Sequence, residues 1–271
     1  MRRMRMQFAM VVVGTLGLVL AAVAAAATIN GTDNGENLKG TQFADTINGN
    51  GGNDRIRAFA GDDIVTGGDG HDLIFAGRGV DSVDGGNGWD RIYGGDGNDA
   101  ALDGGNGRDK ISGGNGDDTT SGGADRDRIW GGNGADKNDG GDGDDRIAGG
   151  RGNDVSNGGA GNDKIFANLG VDESFGGDGN DDLWALARGD VDKSVQLDTT
   201  ADTLHGGAGD DTFHTRDGEA DTVDCGEGND TALLDNVDVI LDATAENPNG
   251  SCENVKREAP KDKGKKKNHD D

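Results

Sequence analysis

Aspartates and glycines recur through this chain of 271 residues at a spacing that suits metal chemistry. In Gly67-Gly68-Asp69-Gly70-His71-Asp72-Leu73-Ile74-Phe75 an acid stands sixth, after glycines at places one, two and four and before an aliphatic residue at place eight. Gly140-Gly141-Asp142-Gly143-Asp144-Asp145-Arg146-Ile147-Ala148 repeats the pattern. A carboxylate ending a glycine turn supplies one kind of hard oxygen, and the carbonyls of the turn supply another. Ca²⁺ takes 6–8 such oxygens at about 2.3–2.6 Å with tolerant geometry, whereas Mg²⁺ wants a strict octahedron and keeps its waters. Two cysteines and four scattered histidines offer no zinc or iron cluster. The donor set therefore predicts calcium.

The full G-G-x-G-x-D pattern ends in Asp72, Asp90, Asp99, Asp109, Asp118, Asp136, Asp145, Asp154, Asp163, Asp181 and Asp211, which are the first candidate ligands. Less regular units add Asp54, Asp63, Asp81, Asp127, Asp172 and Asp230. Carbonyl donors are expected from the turn glycines at places two and four. These are Gly68 and Gly70, Gly86 and Gly88, Gly95 and Gly97, Gly105 and Gly107, and Gly114 and Gly116. Gly132 and Gly134, Gly141 and Gly143, Gly150 and Gly152, Gly159 and Gly161, and Gly177 and Gly179 complete them. Two units depart from the pattern: Glu36 takes the acid place of the unit starting at Gly31, and Asp125 replaces a glycine in the unit starting at Gly122.

The elements that position these groups follow from the period. Units of nine start at Gly31 and run to a one-residue slip near Leu102, then from Gly104 to Trp184, seventeen in all. Weaker units start at 197, 206, 216 and 225, with Thr215 as a second insertion. Glycine allows the positive φ of a tight turn, and the three residues around place eight form a short strand that turns one side chain inward. Two units make a coil of eighteen residues, and coils stack about 4.8 Å apart. Alternate units then build two sheets. One is aliphatic inward throughout: Leu38, Ile56, Ile74, Ile92, Ile111, Ile129, Ile147, Ile165 and Leu183. The other begins with Ile47, Val65 and Val83 and then turns polar at Thr120, Asn138, Ser156 and Ser174. Calcium is expected to carry more of the stability there, with a ladder of hydroxyls and amides along the axis.

Composition agrees with such a solenoid. Glycine numbers 53, apolar residues make up 31% and aromatics 4%, which excludes an ordinary apolar core. Acids number 52 against 26 Lys and Arg, for a net charge of -26, which disfavours nucleic acid or an anionic membrane as partner. Stacked carboxylates would repel one another, and about ten calcium ions between coils would offset most of that charge. Acidity and low hydrophobicity are also marks of disorder, but eleven motifs in register argue for a repeat fold.

These nonapeptides, over residues 31–184 and more loosely 197–233, resemble the RTX or hemolysin-type calcium-binding repeat family. The resemblance implies an all-β fold, a parallel β-roll that is a two-sheet right-handed β-helix solenoid. Many relatives leave the cell by an exporter that reads a C-terminal signal; this chain departs from that, having a leader-like start and a basic tail.

Arg2, Arg3 and Arg5 precede an apolar run from Phe8 to Ala26 that ends in small residues. This reads as a signal peptide over 1–27, an uncleaved anchor being the rival. A secreted, extracellular chain follows, with no membrane span after cleavage, and Cys225 and Cys252 are expected to form a disulfide in an oxidising compartment. The expected organisation is a β-roll over 28–184, an insertion over 185–196, degenerate repeats and a disulfide-linked cap over 197–255, and a disordered basic tail over 256–271. Phe75, Tyr93, Trp130, Phe166 and Trp184 lie outward on one sheet, either as a binding stripe or as cross-strand packing. No H-E-x-x-H or G-x-S-x-G occurs, and the residues left over from the repeats are too few for a catalytic domain. The expected function is calcium-dependent folding outside the cell in a structural or adhesive role, with cell-surface polymers or further copies of the chain as partners. The alternative is an accessory module for a separately encoded hydrolase or toxin.

Overall fold

The computed structural model describes residues 25–185 and 200–258. The leader's basic and apolar runs, residues 186–196 of the expected insertion and the tail beyond 258 lie outside the described residues.

Short strands alternate between two parallel sheets of twelve strands each. The first sheet runs from Thr28–Asn30 to Val239–Ile240 and the second from Asn37–Lys39 to Asn254–Arg257. Neighbours within a sheet are eighteen residues apart wherever the nine-residue period is unbroken, as in Ile47↔Val65 and Ile56↔Ile74. This is the all-β solenoid that the period predicts. The slip near Leu102 is absorbed without loss of facing, because Val83 pairs with Leu102 and both stay buried. The stretch 186–199 also leaves the stack continuous: Ser174 pairs with Leu204, and Leu183 with Phe213.

The inward side chains form two apolar clusters. One gathers Ile47, Val65, Val83 and Leu102 of the first sheet with the isoleucines of the second up to Ile165. The other gathers Leu183, Leu204, Phe213, Val223 and Ile240 with both cysteines. Between them the first sheet contributes buried Thr120, Asn138, Ser156 and Ser174. Thr120 donates from Oγ1 to Asn138 Oδ1 at 2.8 Å, and Asn138 Nδ2 donates to Ser156 Oγ at 3.4 Å. Ser174 Oγ has no partner among the described residues, so the expected ladder is formed but stops short of its last rung.

The coil continues further toward the C-terminus than the glycine pattern does. Val239–Ile240 and Asn254–Arg257 extend the two sheets without the paired glycines of the regular turns, so Lys256 and Arg257 belong to a strand rather than to a disordered tail. A Cys225–Cys252 disulfide ties the last coils together. On the outer face of the second sheet Phe75 and Tyr93 stack at 5.0 Å, and Phe166, Trp184 and His214 stack in series. Cross-strand packing thus accounts for much of the aromatic stripe, although Tyr93 and Trp130 keep 42% and 41% of their surface exposed.

Candidate metal centres

Each turn aims its main-chain oxygens along the stack. At places two and four the backbone takes positive φ, +106° at Gly68 and +141° at Gly70. The space a Cβ would fill at Gly68 is held by the carbonyl of Asn50, and that at Gly70 by the carbonyl of Gly52, one coil earlier. The same relation runs Gly68 to Gly86 and Gly70 to Gly88, and onward through Gly105 and Gly107. Glycine at the regular turns therefore serves twice, once for φ and once so that the preceding coil's carbonyl can approach.

The sixth-place aspartates form two continuous ladders, one along each stack of turns. The N–H of Asp54 donates to Asp72 Oδ1 at 2.7 Å, Asp72 to Asp90 at 2.7 Å, and Asp90 to Asp109 at 2.7 Å. On the other side Asp63 donates to Asp81, Asp81 to Asp99, and Asp99 to Asp118 at 2.8–3.0 Å. Both ladders cross the 186–199 stretch, through Asp172 to Asp202 and Asp181 to Asp211. The candidate aspartates thus lie along these two ladders. One carboxylate oxygen, however, is engaged by the backbone of the neighbouring coil, which spacing does not reveal.

The other oxygen is the candidate donor. Among the described residues Oδ2 is buried without a hydrogen-bond partner in Asp54, Asp63, Asp72, Asp81, Asp90, Asp99, Asp109, Asp118, Asp127, Asp136, Asp145, Asp154, Asp163, Asp181, Asp211 and Asp230. A buried charge with no partner is costly, and the carboxyls respond. Burial pushes Asp90, Asp99, Asp154, Asp163 and Asp211 up to about 7 and Asp127 up to about 8, against the pull of the backbone hydrogen bond, with neighbouring aspartates adding to the rise. Asp54, Asp63, Asp109, Asp118, Asp136 and Asp181 rise to about 6 for the same leading reason.

Among the described residues no three His, Cys, Asp or Glu side chains converge on a point. A cation held here draws on turn carbonyls together with carboxylate oxygens, a set that fits Ca²⁺ and fits neither zinc nor iron. The orphaned Oδ2 atoms and the glycine-lined carbonyls are the observations that make the fit.

The irregular turns keep this arrangement under strain. Asn50, Phe59, Asn168 and Asp125 occupy glycine places at φ of 70°, 83°, 82° and 75°. Asn and Asp tolerate that region, and a phenylalanine pays for it sterically. Phe59 still turns its carbonyl to Gly77, and Asp125 turns its own to Gly143.

The ladders also recruit residues that the glycine pattern does not mark. Asp45 accepts from Ala27 and donates to Asp63. Glu36 donates its N–H to Asp54, Asp202 donates to Asp221, Asp221 to Asp238, and Asp230 to Glu253. The signal for the last two was an acid followed by x-aliphatic-x, in Asp238-Val239-Ile240-Leu241 and Glu253-Asn254-Val255-Lys256.

The profile of the RTX calcium-binding nonapeptide repeat matches residues 39–74, 66–100, 102–129, 121–156, 139–173, 149–183 and 198–232. No curated protein matches the chain. With the ladder geometry and well over half of the chain matched, the chain belongs to the RTX calcium-binding nonapeptide repeat family.

Proposed function

We propose that this calcium-binding repeat protein is secreted and folds on meeting extracellular calcium, to serve a structural or adhesive role rather than a catalytic one. The observation that carries the reading is the row of buried, unpartnered Oδ2 atoms, because it makes the metal-free roll electrostatically unfavourable at neutral pH. Extracellular calcium modules bind at about 10⁻⁴–10⁻³ M, so such a chain stays open where calcium is scarce and closes where it is plentiful. On the order of ten ions would offset most of the acidity. The chemistry that supports a non-catalytic role is that the buried carboxyls are committed to ladders and the repeats occupy nearly all of the described chain.

The test has two parts. Far-ultraviolet circular dichroism with calorimetry should show a coil-to-β transition near millimolar calcium, several ions bound per chain, and no matching response to magnesium. Fractionation of the producing cell should place the chain outside it, with a mature N-terminus near Thr28. A β-rich chain in strong chelator at neutral pH would overturn the folding switch, and retention inside the cell would overturn secretion.

A further inference from the structure

The two outer sheet faces carry opposite charge. Side chains at places seven and nine of each unit point away from the core, because place eight points in. On the second sheet the place-seven column reads Arg55, Leu73, Arg91, Lys110, Arg128, Arg146 and Lys164 on successive strands. Among the described residues only Lys164 meets a carboxylate, that of Asp182. On the first sheet the outward columns hold Asp84, Asp103, Asp139, Glu173 and Asp224 against Lys137 and His205, and the His205 ring lies beside Glu173 and Asp224.

Arg55 and Arg146 lie over the rings of Phe75 and Phe166, and Lys164 over that of Trp184. But like charges on neighbouring strands are destabilising, and Arg91, Lys110 and Arg128 on one face and Asp84 and Asp103 on the other follow one another strand to strand. Asp84 and Asp103 are direct partners on adjacent strands of this face. A partner of opposite sign would relieve both faces, and each face supplies what the other lacks.

We propose that a second copy of the chain docks its acidic first-sheet face on the basic second-sheet face, so that rolls stack into open-ended layers. Three features support this occupant. Both faces belong to the same coils and share the same pitch of about 4.8 Å, so charges on the two faces recur at matching intervals. Twelve strands by the width of a face give roughly 800 Å² per copy, which is what a standard stable interface buries. Exposed Tyr93 and Trp130 lie within the basic face, and aromatic residues and Arg are enriched in interfaces. The contact joins two different patches and therefore does not close on itself. The proposal rests on the structural reading above and names the partner in it.

The test is sedimentation velocity of the full chain in calcium, across a concentration series at low and high salt. Wild type should form a mass distribution that grows with concentration and collapses in high salt as the charges are screened. The triple reversals R91E/R128E/R146E and D84K/D103K/D139K should each sediment as monomers, with association weakened by about tenfold or more. An equimolar mixture of the two should associate again, because each then offers the face that the other has lost. Dichroism of each variant in calcium establishes that it folds; should one fail, the wild-type series with its salt dependence still decides. Wild type that stays monomeric and calcium-folded at every concentration overturns stacking and leaves the structural reading standing. Monomeric wild type that binds polygalacturonate assigns the basic face to a polyanion and likewise overturns it. Wild type that shows no calcium-dependent fold sinks the reading on which stacking rests.

Discussion

Coils near residues 46–102 and coils near 119–174 carry the same aspartate ladders over different interiors. In the first stretch both sheets face inward with aliphatic side chains, Ile47, Val65, Val83 and Leu102 opposite Ile56, Ile74 and Ile92. In the second, Ile111, Ile129, Ile147 and Ile165 face Thr120, Asn138, Ser156 and Ser174. Four buried aliphatic residues contribute roughly 6–12 kcal/mol as an upper bound, and the polar-lined coils forgo that share. Ladder spacing stays at 2.7–3.0 Å in both stretches, as Asp72 to Asp90 and Asp136 to Asp154 show. The turns set the coil, and the interior should set how far the coil depends on metal.

Calcium removal should divide the two stretches most sharply. In chelator at pH 7, limited proteolysis is expected to cut within 119–174 well before it cuts within 46–102. Simultaneous cutting in both would make the interior irrelevant. The pH dependence follows from the ladder carboxyls. Their folded-state values of about 6 to 8 lie above the ordinary 3.8 of the unfolded chain. The protonated form is thus favoured by folding, and the gain is fully present below about pH 4 and lost as pH rises through 6 to 8. The metal-free chain should therefore be more folded at pH 4 than at pH 8, which dichroism in chelator will show; the reverse order would contradict the burial of Oδ2.

Asp136→Asn should act with opposite signs in the two states. An amide keeps an acceptor for the Asp118 N–H and removes a buried charge, so the metal-free chain gains stability at pH 7. In calcium it loses a donor, and the midpoint of the calcium titration should rise by about threefold to tenfold. A variant unchanged in both states would remove Asp136 from the site.

The smallest expected effect comes from repairing the interior. Thr120→Val, Asn138→Val and Ser156→Val together replace both ends of each polar contact, which is neutral to stabilising, by about 1–3 kcal/mol here. Denaturant melts in calcium will measure it, and the calcium needed by the polar-lined coils should fall toward that of their neighbours. A marked loss of stability would mean that the polar ladder itself holds the coil.

The nine-residue period made the solenoid, its two sheets, their unequal interiors and the acid of every regular turn legible, because each is a property of residue type at fixed spacing. What spacing does not encode is the use of each oxygen. That Asp72 Oδ1 accepts from Asp54 depends on side-chain torsions and on the offset of stacked coils. Asp238 and Glu253 were missed because the glycines that mark the other turns are absent there. The basic column from Arg55 to Lys164 is present in the sequence, but its members are eighteen or nineteen residues apart and become one column only through the strand register.

Amide hydrogen exchange across a calcium titration at pH 7 tests the central claim most directly, since the ladder N–H groups are themselves the probes. With calcium present, the amides of Asp72, Asp90, Asp136 and Asp154 should all be protected. In chelator, protection should vanish at Asp136 and Asp154 and weaken at Asp72 and Asp90. Full protection of all four in chelator at neutral pH would contradict the account, because the buried carboxylates would then be tolerated without metal.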